Sequence, residues 1–261
     1  MKDKKDRILL TVVMPAYDEE DVIEQAVREV QHFVLDNVED AEFVVIDDGS
    51  NDRTGVILDR CAAQERRVRV IHQPNKGHGG ALRTGLDLAR GTYIFLLDSD
   101  RQIPLDAFEA AWQAALESDG VLGVRRRRQD AWIRLVLSAV VRRLVRLLFG
   151  VQLSDANAPF KVFRRSIWVQ ARALIPEETL TPSLFLAIYM RWGEWDVAER
   201  AVPHRQRATG AVSLQSWKLI RFCLKAFAQL LRFRKALAAA GLAQPLVPDV
   251  HSHSSASRAK S

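Results

Sequence analysis

Residues 93–100 read YIFLLDSD. Tyr93 to Leu97 is a continuous apolar run of strand length, the pattern of a strand buried on both faces. It stops at Asp98-Ser99-Asp100. In sheets built from parallel strands, ligands bind outside the carboxyl ends of the strands, which is where this turn falls. Two carboxylates at i and i+2 there reach one hard cation, Mg2+ or Mn2+, with few protein ligands and leave positions for substrate phosphates. A bare D-x-D is common. Its position after a buried strand gives it weight.

The pattern extends back to the start of the chain. Ile8 to Met14 (ILLTVVM) is another apolar run, ended by Pro15. Glu19 to Val34 places Val22, Ile23, Ala26, Val30 and Phe33 at helical spacing, with acidic residues in the first turn, where the helix dipole favours them. Phe43 to Ile46 is a second strand, closed by the turn Asp47-Asp48-Gly49-Ser50. Thr54 to Gln64 reads as helix, Val68 to His72 as strand and Gly79 to Ala89 as helix. This βαβαβαβ order predicts an α/β fold with a mostly parallel sheet covered by helices. Three polar clusters then sit at strand ends: 16–20, 47–52 and 98–102.

Charge divides the chain. Residues 1–120 hold 14 Lys/Arg and 24 Asp/Glu, a net −10; residues 121–261 hold 24 and 8, a net +16. The acidic half is suited to a metal and the basic half to an anionic partner. Residues 131–149 and 216–235 read as helices. In the first, Ile133, Val136, Leu137, Val140, Val141, Leu144, Leu147 and Leu148 fill one face, opposite Arg134, Arg142, Arg143 and Arg146. In the second, Leu219, Ile220, Cys223, Leu224, Phe227, Leu230 and Leu231 oppose Lys218, Arg221, Lys225, Arg232 and Lys235. Neither span has an acidic residue, and such helices suit an anionic membrane surface. No apolar run approaches the ~18 residues of a membrane span, and the charged MKDKKDRILL start is unlike a signal peptide. The expectation is a cytoplasmic protein, peripheral on the inner face of the cell membrane.

Other chemistries lack support. Two cysteines, Cys61 and Cys223, give neither a disulfide framework nor a cysteine-rich zinc site. Asn75-Lys76-Gly77-His78-Gly79-Gly80 opens a helix and brings backbone N–H groups and Lys76 toward a phosphate, but it is neither a P-loop nor a dinucleotide fingerprint. Nucleic acid is not an expected partner, because the aspartates at the strand ends repel phosphate backbones.

As a set, VVMPAYDEE, VVIDDGSNDRT and NKGHGGALRTGLDLARGTYIFLLDSD resemble glycosyltransferase family 2, the nucleotide-sugar-dependent enzymes of GT-A fold. DSDRQIP, the 123–130 segment GVRRRRQD, DANAPFKVFRR (155–165) and HRQRATGAVS (204–213) are similar to segments of the dolichyl- and polyprenyl-phosphate sugar synthases within it. Ser99 stands where those enzymes usually have Ala, and Ala158-Pro159 where they have Cys-Gly. The resemblance implies an inverting transfer of a sugar from a UDP- or GDP-sugar to polyprenyl or dolichyl phosphate. The alternative is a family 2 enzyme with a soluble acceptor.

Site residues follow from that resemblance. Pro15, Tyr17, Glu19 and Asp48 would shape the nucleotide pocket, with Lys76, Ser99 and Gln102 nearby, and Asp98 and Asp100 would hold the cation. Arg125, Arg128 and Arg207 would grip phosphates, since guanidinium offers a planar fork to phosphate oxygens. Lys161, His204 and Ser213 join the acceptor side. Asp155 holds the place of the family's base; it either deprotonates an acceptor or orients an arginine, and both readings stand. The expected layout is a catalytic domain over 1–212, with 121–165 as its basic acceptor- and membrane-facing segment, then a basic amphipathic segment over 213–242 and a disordered tail over 243–261.

Overall fold

The computed structural model describes residues 8–126, 132–155, 157–179, 181–193, 195–205 and 216–241. In chain order the strands are β1 (Leu10–Ala16), β2 (Ala41–Asp47), β3 (Val68–His72), β4 (Tyr93–Leu96), β5 (Gly120–Arg125), β6 (Lys161–Arg164) and β7 (Val197–Val202). The helices are α1 (Ile23–Val30), α2 (Thr54–Gln64), α3 (Gly77–Leu88), α4 (Phe108–Leu116), α5 (Trp132–Phe149), α6 (Arg165–Ala171), α7 (Pro182–Trp192) and α8 (Ser216–Ala239). All seven strands join one sheet in the order β3-β2-β1-β4-β6-β5-β7. It is parallel except at β6, which runs antiparallel between β4 and β5.

Alternation along the strands sends side chains to two layers. Val12, Met14, Phe95, Phe160 and Val162 enter the layer covered by α1, α2 and α4. Val13, Ile94, Leu96 and Phe163 enter the one covered by α5 to α8. Helix α8 belongs to that second layer: Leu230, Phe233 and Leu237 are buried, each contributing about 2 kcal/mol by removal from water. Phe233 lies against Phe149 and Phe185.

Three sequence expectations need correction. Pro15 does not end the first strand, which pairs through Ala16 with Asp47. The Val13 carbonyl accepts from Leu97 N–H, so Val13 and, two residues on, Pro15 face the β4 side. There β4 has already stopped, and the missing proline N–H forfeits no ladder bond. The helix expected over 19–34 begins only at Ile23 and closes with a π-helical turn, Gln31–Leu35. Residues 18–20 are drawn instead toward the turn after β2: Asp18 N donates to Ser50 Oγ, Glu19 N to Thr54 Oγ1 and Glu20 N to Asp52 Oδ2. Finally, part of the apolar faces expected at the membrane belongs to the core: Leu230 of α8 is buried, and Val141 and Leu148 of α5 pack against the second layer. Val145 and Phe149 anchor α5, while Val140 and Leu147 are 49% and 79% exposed. On α8 the exposed apolar residues Leu224, Phe227 and Leu231 form a second stripe beside the buried one.

Candidate active site

The turn after β2 is the first component. Gly49 takes a left-handed φ of +73°, and a Cβ there would lie 2.9 Å from the Asn75 nitrogen, so a residue with a side chain is excluded on both counts. The paired aspartates divide their labour. Asp47 accepts from Ser50 N and bonds His72 Nδ1 at 2.8 Å, which shapes the turn. Asp48 accepts from Gln73 Nε2 at 2.6 Å and from Lys76 N at 2.9 Å and lines an open cleft of about 560 Å³. Pro15, Tyr17, Glu19 and Ser99 line the same cleft. Asn51 Nδ2 donates to Tyr17 Oη, and Asn51 N to Asp18 Oδ1, whose residue sits at φ +50°. Lys76 contributes its backbone, while its side chain is exposed and is not part of the lining.

The D-x-D turn forms the cleft's inner end. Asp98 faces a pocket of about 310 Å³ with His78, Asn157, Pro159 and Ser183. Asp100 accepts from Gln102 N. Gln102 also reaches across the site: its carbonyl accepts from Arg205 N at 2.8 Å, and its Nε2 donates to the Arg205 carbonyl at 3.4 Å. This ties the turn to the segment after β7, beside the partly buried His204. Among the described residues, no three His, Cys, Asp or Glu side chains converge as a ready-made metal cage. Two hard carboxylates at a strand end nevertheless fit a Mg2+- or Mn2+-type cation, which takes one or two carboxylates and fills its shell with phosphate oxygens and water.

His78 was not singled out from the sequence. Its Nε2 lies 3.1 Å from Asp98 Oδ1, and it borders both the outer cleft and the inner pocket. The Asp98 hydrogen bond raises its pKa above the ordinary imidazole value; desolvation opposes this, and the charges of Asp98, Asp100 and Asp48 add to the rise. The available signal was topological: α3 starts at the carboxyl end of β3 and packs on β1, next to β4.

On the far side, Arg125 at the end of β5 grips Asp155 with both arms, Nε to Oδ2 at 2.7 Å and Nη2 to Oδ1 at 3.0 Å. Both side chains are largely buried. Lys161 is 1% exposed, and its Nζ donates to the Ala158 carbonyl and, at 2.7 Å, to Ser183 Oγ. It is thus beneath the site rather than open to it. Ser183, on the first turn of α7, was likewise missed, because nothing near it in the chain marks it. Arg128, Arg207 and Ser213, expected on the acceptor side, lie outside the described residues, as does the 243–261 tail.

The parallel β3-β2-β1-β4 unit with carboxylates at its strand ends, extended by an antiparallel strand and a basic second half, defines a GT-A glycosyltransferase fold. A crystal structure of glucosyl-3-phosphoglycerate synthase from Mycobacterium tuberculosis, in complex with Mn2+, uridine diphosphate and phosphoglyceric acid, shares it with a TM-score of 0.64 at 20% identity, over 87% of this chain and 78% of that one. The family model for glycosyl transferase family 2 matches residues 11–168, and the chain belongs to that family. Undecaprenyl-phosphate 4-deoxy-4-formamido-L-arabinose transferase from Pseudomonas aeruginosa is 30% identical over 81% of this chain and 62% of its own length. The transferase of the same name from Aeromonas hydrophila is 29% identical over 79% of this chain and 64% of its own length. The chain therefore spans less than two thirds of these curated relatives. Among the described residues no helix is long and apolar enough to cross a membrane.

Proposed function

We propose that the protein transfers a sugar from a nucleoside-diphosphate sugar to polyprenyl phosphate at an anionic membrane surface, on the cytoplasmic side of the cell membrane. The observation that carries this reading is that two pockets meet at the D-x-D turn. His78 lines both the cleft that holds Asp48 and the inner pocket that holds Asp98 and Asn157, and Asn157 is two residues from Asp155, the partner of Arg125. The relatives named for undecaprenyl phosphate supply the acceptor class.

In this reading Pro15, Tyr17, Glu19 and Asp48 hold the nucleoside, and Asp98 and Asp100 hold a divalent cation. Held there, such a cation would supply positive charge to the departing diphosphate. A phosphate monoester has its second pKa near ~6, so the acceptor arrives as an anionic nucleophile and needs no base. One of its oxygens bonds to the anomeric carbon from the face opposite the diphosphate. The bond from that carbon to the diphosphate oxygen breaks, its electron pair leaves with the nucleoside diphosphate, and the configuration inverts. Asp155 then acts as orienter: its two oxygens fix the Arg125 guanidinium for the incoming phosphate. Arg128, Arg207, His204 and Ser213 complete the acceptor side.

The membrane enters through α5 and α8. Their unpaired apolar residues, Val140, Leu147, Leu224, Phe227 and Leu231, are interspersed with exposed Arg143, Arg146, Lys225, Arg232 and Lys235. A soluble phosphorylated acceptor is the second reading, favoured by the phosphoglyceric acid bound to the structural neighbour. A panel of UDP- and GDP-sugars, incubated with Mn2+ and either a short polyprenyl phosphate or phosphoglyceric acid and read by product mass, tests the two. The polyprenyl monophosphate sugar is expected. Turnover confined to soluble phosphates would replace the first reading with the second.

A further inference from the structure

Lys161 sits on β6 opposite Leu96 of β4 and Leu122 of β5. By strand alternation it shares its face with Phe163, whose apolar layer also holds its strand partners Leu96 and Leu122 and residues of α7. That face calls for a hydrocarbon side chain, and an ammonium buried there is strongly unfavourable unless it is bonded. Its partners come from two separate segments: the Ala158 carbonyl in the loop before β6, and Ser183 Oγ at the start of α7. That same loop carries Asp155, clamped by Arg125, and Asn157 and Pro159, which line the inner pocket.

We propose that Lys161 is a positioning residue, a buried strut that ties the 155–159 loop to α7 and places its charge beneath Asp98 and Asp155, and not a direct ligand of substrate phosphate. Burial brings its pKa down to about 8; Asp155 and Asp98 oppose the fall, and Arg125 adds to it. Among the described residues these three, from the loop before β6, the end of β4 and the end of β5, are the charged groups that act on it, and Ser183 is its partner from α7. The strut thus carries its charge at neutral pH and loses it progressively as pH rises through about 8.

The test combines three readouts on wild type, Lys161→Met, Lys161→Arg and Ser183→Ala: hydrogen–deuterium exchange of peptides covering 155–160, calorimetric binding of UDP with Mn2+, and transfer kinetics against a short polyprenyl phosphate. Lys161→Met is expected to speed exchange of the loop amides at least tenfold, to leave UDP binding within threefold, and to lower kcat about a hundredfold with KM for the acceptor little changed. Ser183→Ala, which removes one tie and keeps the charge, is expected to give the same pattern at about fivefold. Lys161→Arg is not expected to rescue, because the larger guanidinium does not fit the site of the amine. A wild-type exchange rate in Lys161→Met, or a rise in acceptor KM with kcat intact, overturns the proposal and makes Lys161 a phosphate ligand. If Lys161→Met fails to fold, Ser183→Ala decides by the same criteria. The kinetic arm rests on the proposed transfer reaction. Exchange, together with the titration of the Lys161 side chain by 13C NMR, does not, so failure of one is separable from failure of the other.

Discussion

The two halves of the site are built on different plans. The nucleotide side is backbone-rich: the loop after β1 and the turn after β2, 32 to 35 residues apart, bond each other through the backbone N–H groups of Asp18, Glu19, Glu20 and Asn51 and the side-chain oxygens of Ser50, Thr54, Asp52 and Asp18. The acceptor side is side-chain-rich and more deeply buried. Arg125 meets Asp155 across 30 residues, Lys161 meets Ser183 across 22, and Gln102 meets Arg205 across 103. Bonds from backbone N–H to a side-chain oxygen ask only for Asp, Ser or Thr clustered in each turn, so each turn is readable as a short motif. Buried charge pairs need a finished fold before either partner is satisfied. Residue changes on the first side should therefore act on the ligand, and those on the second on the ligand and the fold together.

The largest expected effect tests the first half of that contrast. Asp98→Asn or Asp100→Asn should lower turnover about a thousandfold, roughly 4 kcal/mol of transition-state stabilisation, with the melting temperature held. Steady-state kinetics, calorimetry and excess chelator check it, and full activity in chelator would sink the metal reading. Next, Asp155→Asn should cut transfer and also destabilise the fold by about 3 kcal/mol, because it leaves the Arg125 guanidinium buried with a neutral partner. Urea denaturation measures that second loss; stability equal to wild type would erase the contrast.

A smaller effect, about 2 to 3 kcal/mol, belongs to Lys161. Unfolded, a lysine keeps its proton to about 10.4; folded, Lys161 releases it at about 8. Between those values the unfolded chain binds more protons, so this group's contribution to stability rises with pH across that window and is lost as pH falls through 8. Denaturant melts at pH 7.5 and 10 should show the rise in wild type and a flatter profile in Lys161→Met.

The smallest effect concerns the surface. Leu224→Glu with Phe227→Glu should weaken flotation with anionic vesicles about tenfold, and Lys225→Gln with Arg232→Gln by about 1 kcal/mol per charge at low salt. Neither pair touches the described core. If the protein fails to float with anionic or neutral vesicles, the exposed stripe is an ordinary solvated face and the lipid acceptor loses its independent physical support.

What could be read from the chain follows the same division. The runs that became β1, β2 and β4 are buried on both faces and end in turn residues, so their places, with that of the more exposed β3 and those of α2 and α3, are legible. Pro15 misleads because its acceptability depends on where β4 stops. Residues 19–22 mislead because helical spacing does not register bonds to the loop 30 residues on. In α5, periodicity finds the apolar residues but does not choose which edge meets the protein; the aromatic cluster of Phe149, Trp192 and Phe233 makes that choice. Asp48, Asp98 and Asp100 announce themselves by position. His78 and Ser183 do not, since each matters only through a crossover that brings it beside Asp98 or Lys161. The polarity of β6 was equally hidden, being set by pairing with two strands at once.

That central position of β6 bears on how the chain comes together in time. β1 to β4 pair among themselves within the first 96 residues, whereas β5 and β7 join the rest of the sheet only through β6 at 161–164. During synthesis the nucleotide-side strands can form a sheet long before the acceptor loop has anything to rest on, leaving the β4 edge open for some 65 residues of elongation. Long-range closure of this sort is slow and leaves a pairing edge exposed. Pulse-labelled hydrogen exchange during refolding should show protection of amides in 41–47 before those in 120–125 and 197–202, and chains stalled short of residue 160 should be the aggregation-prone ones.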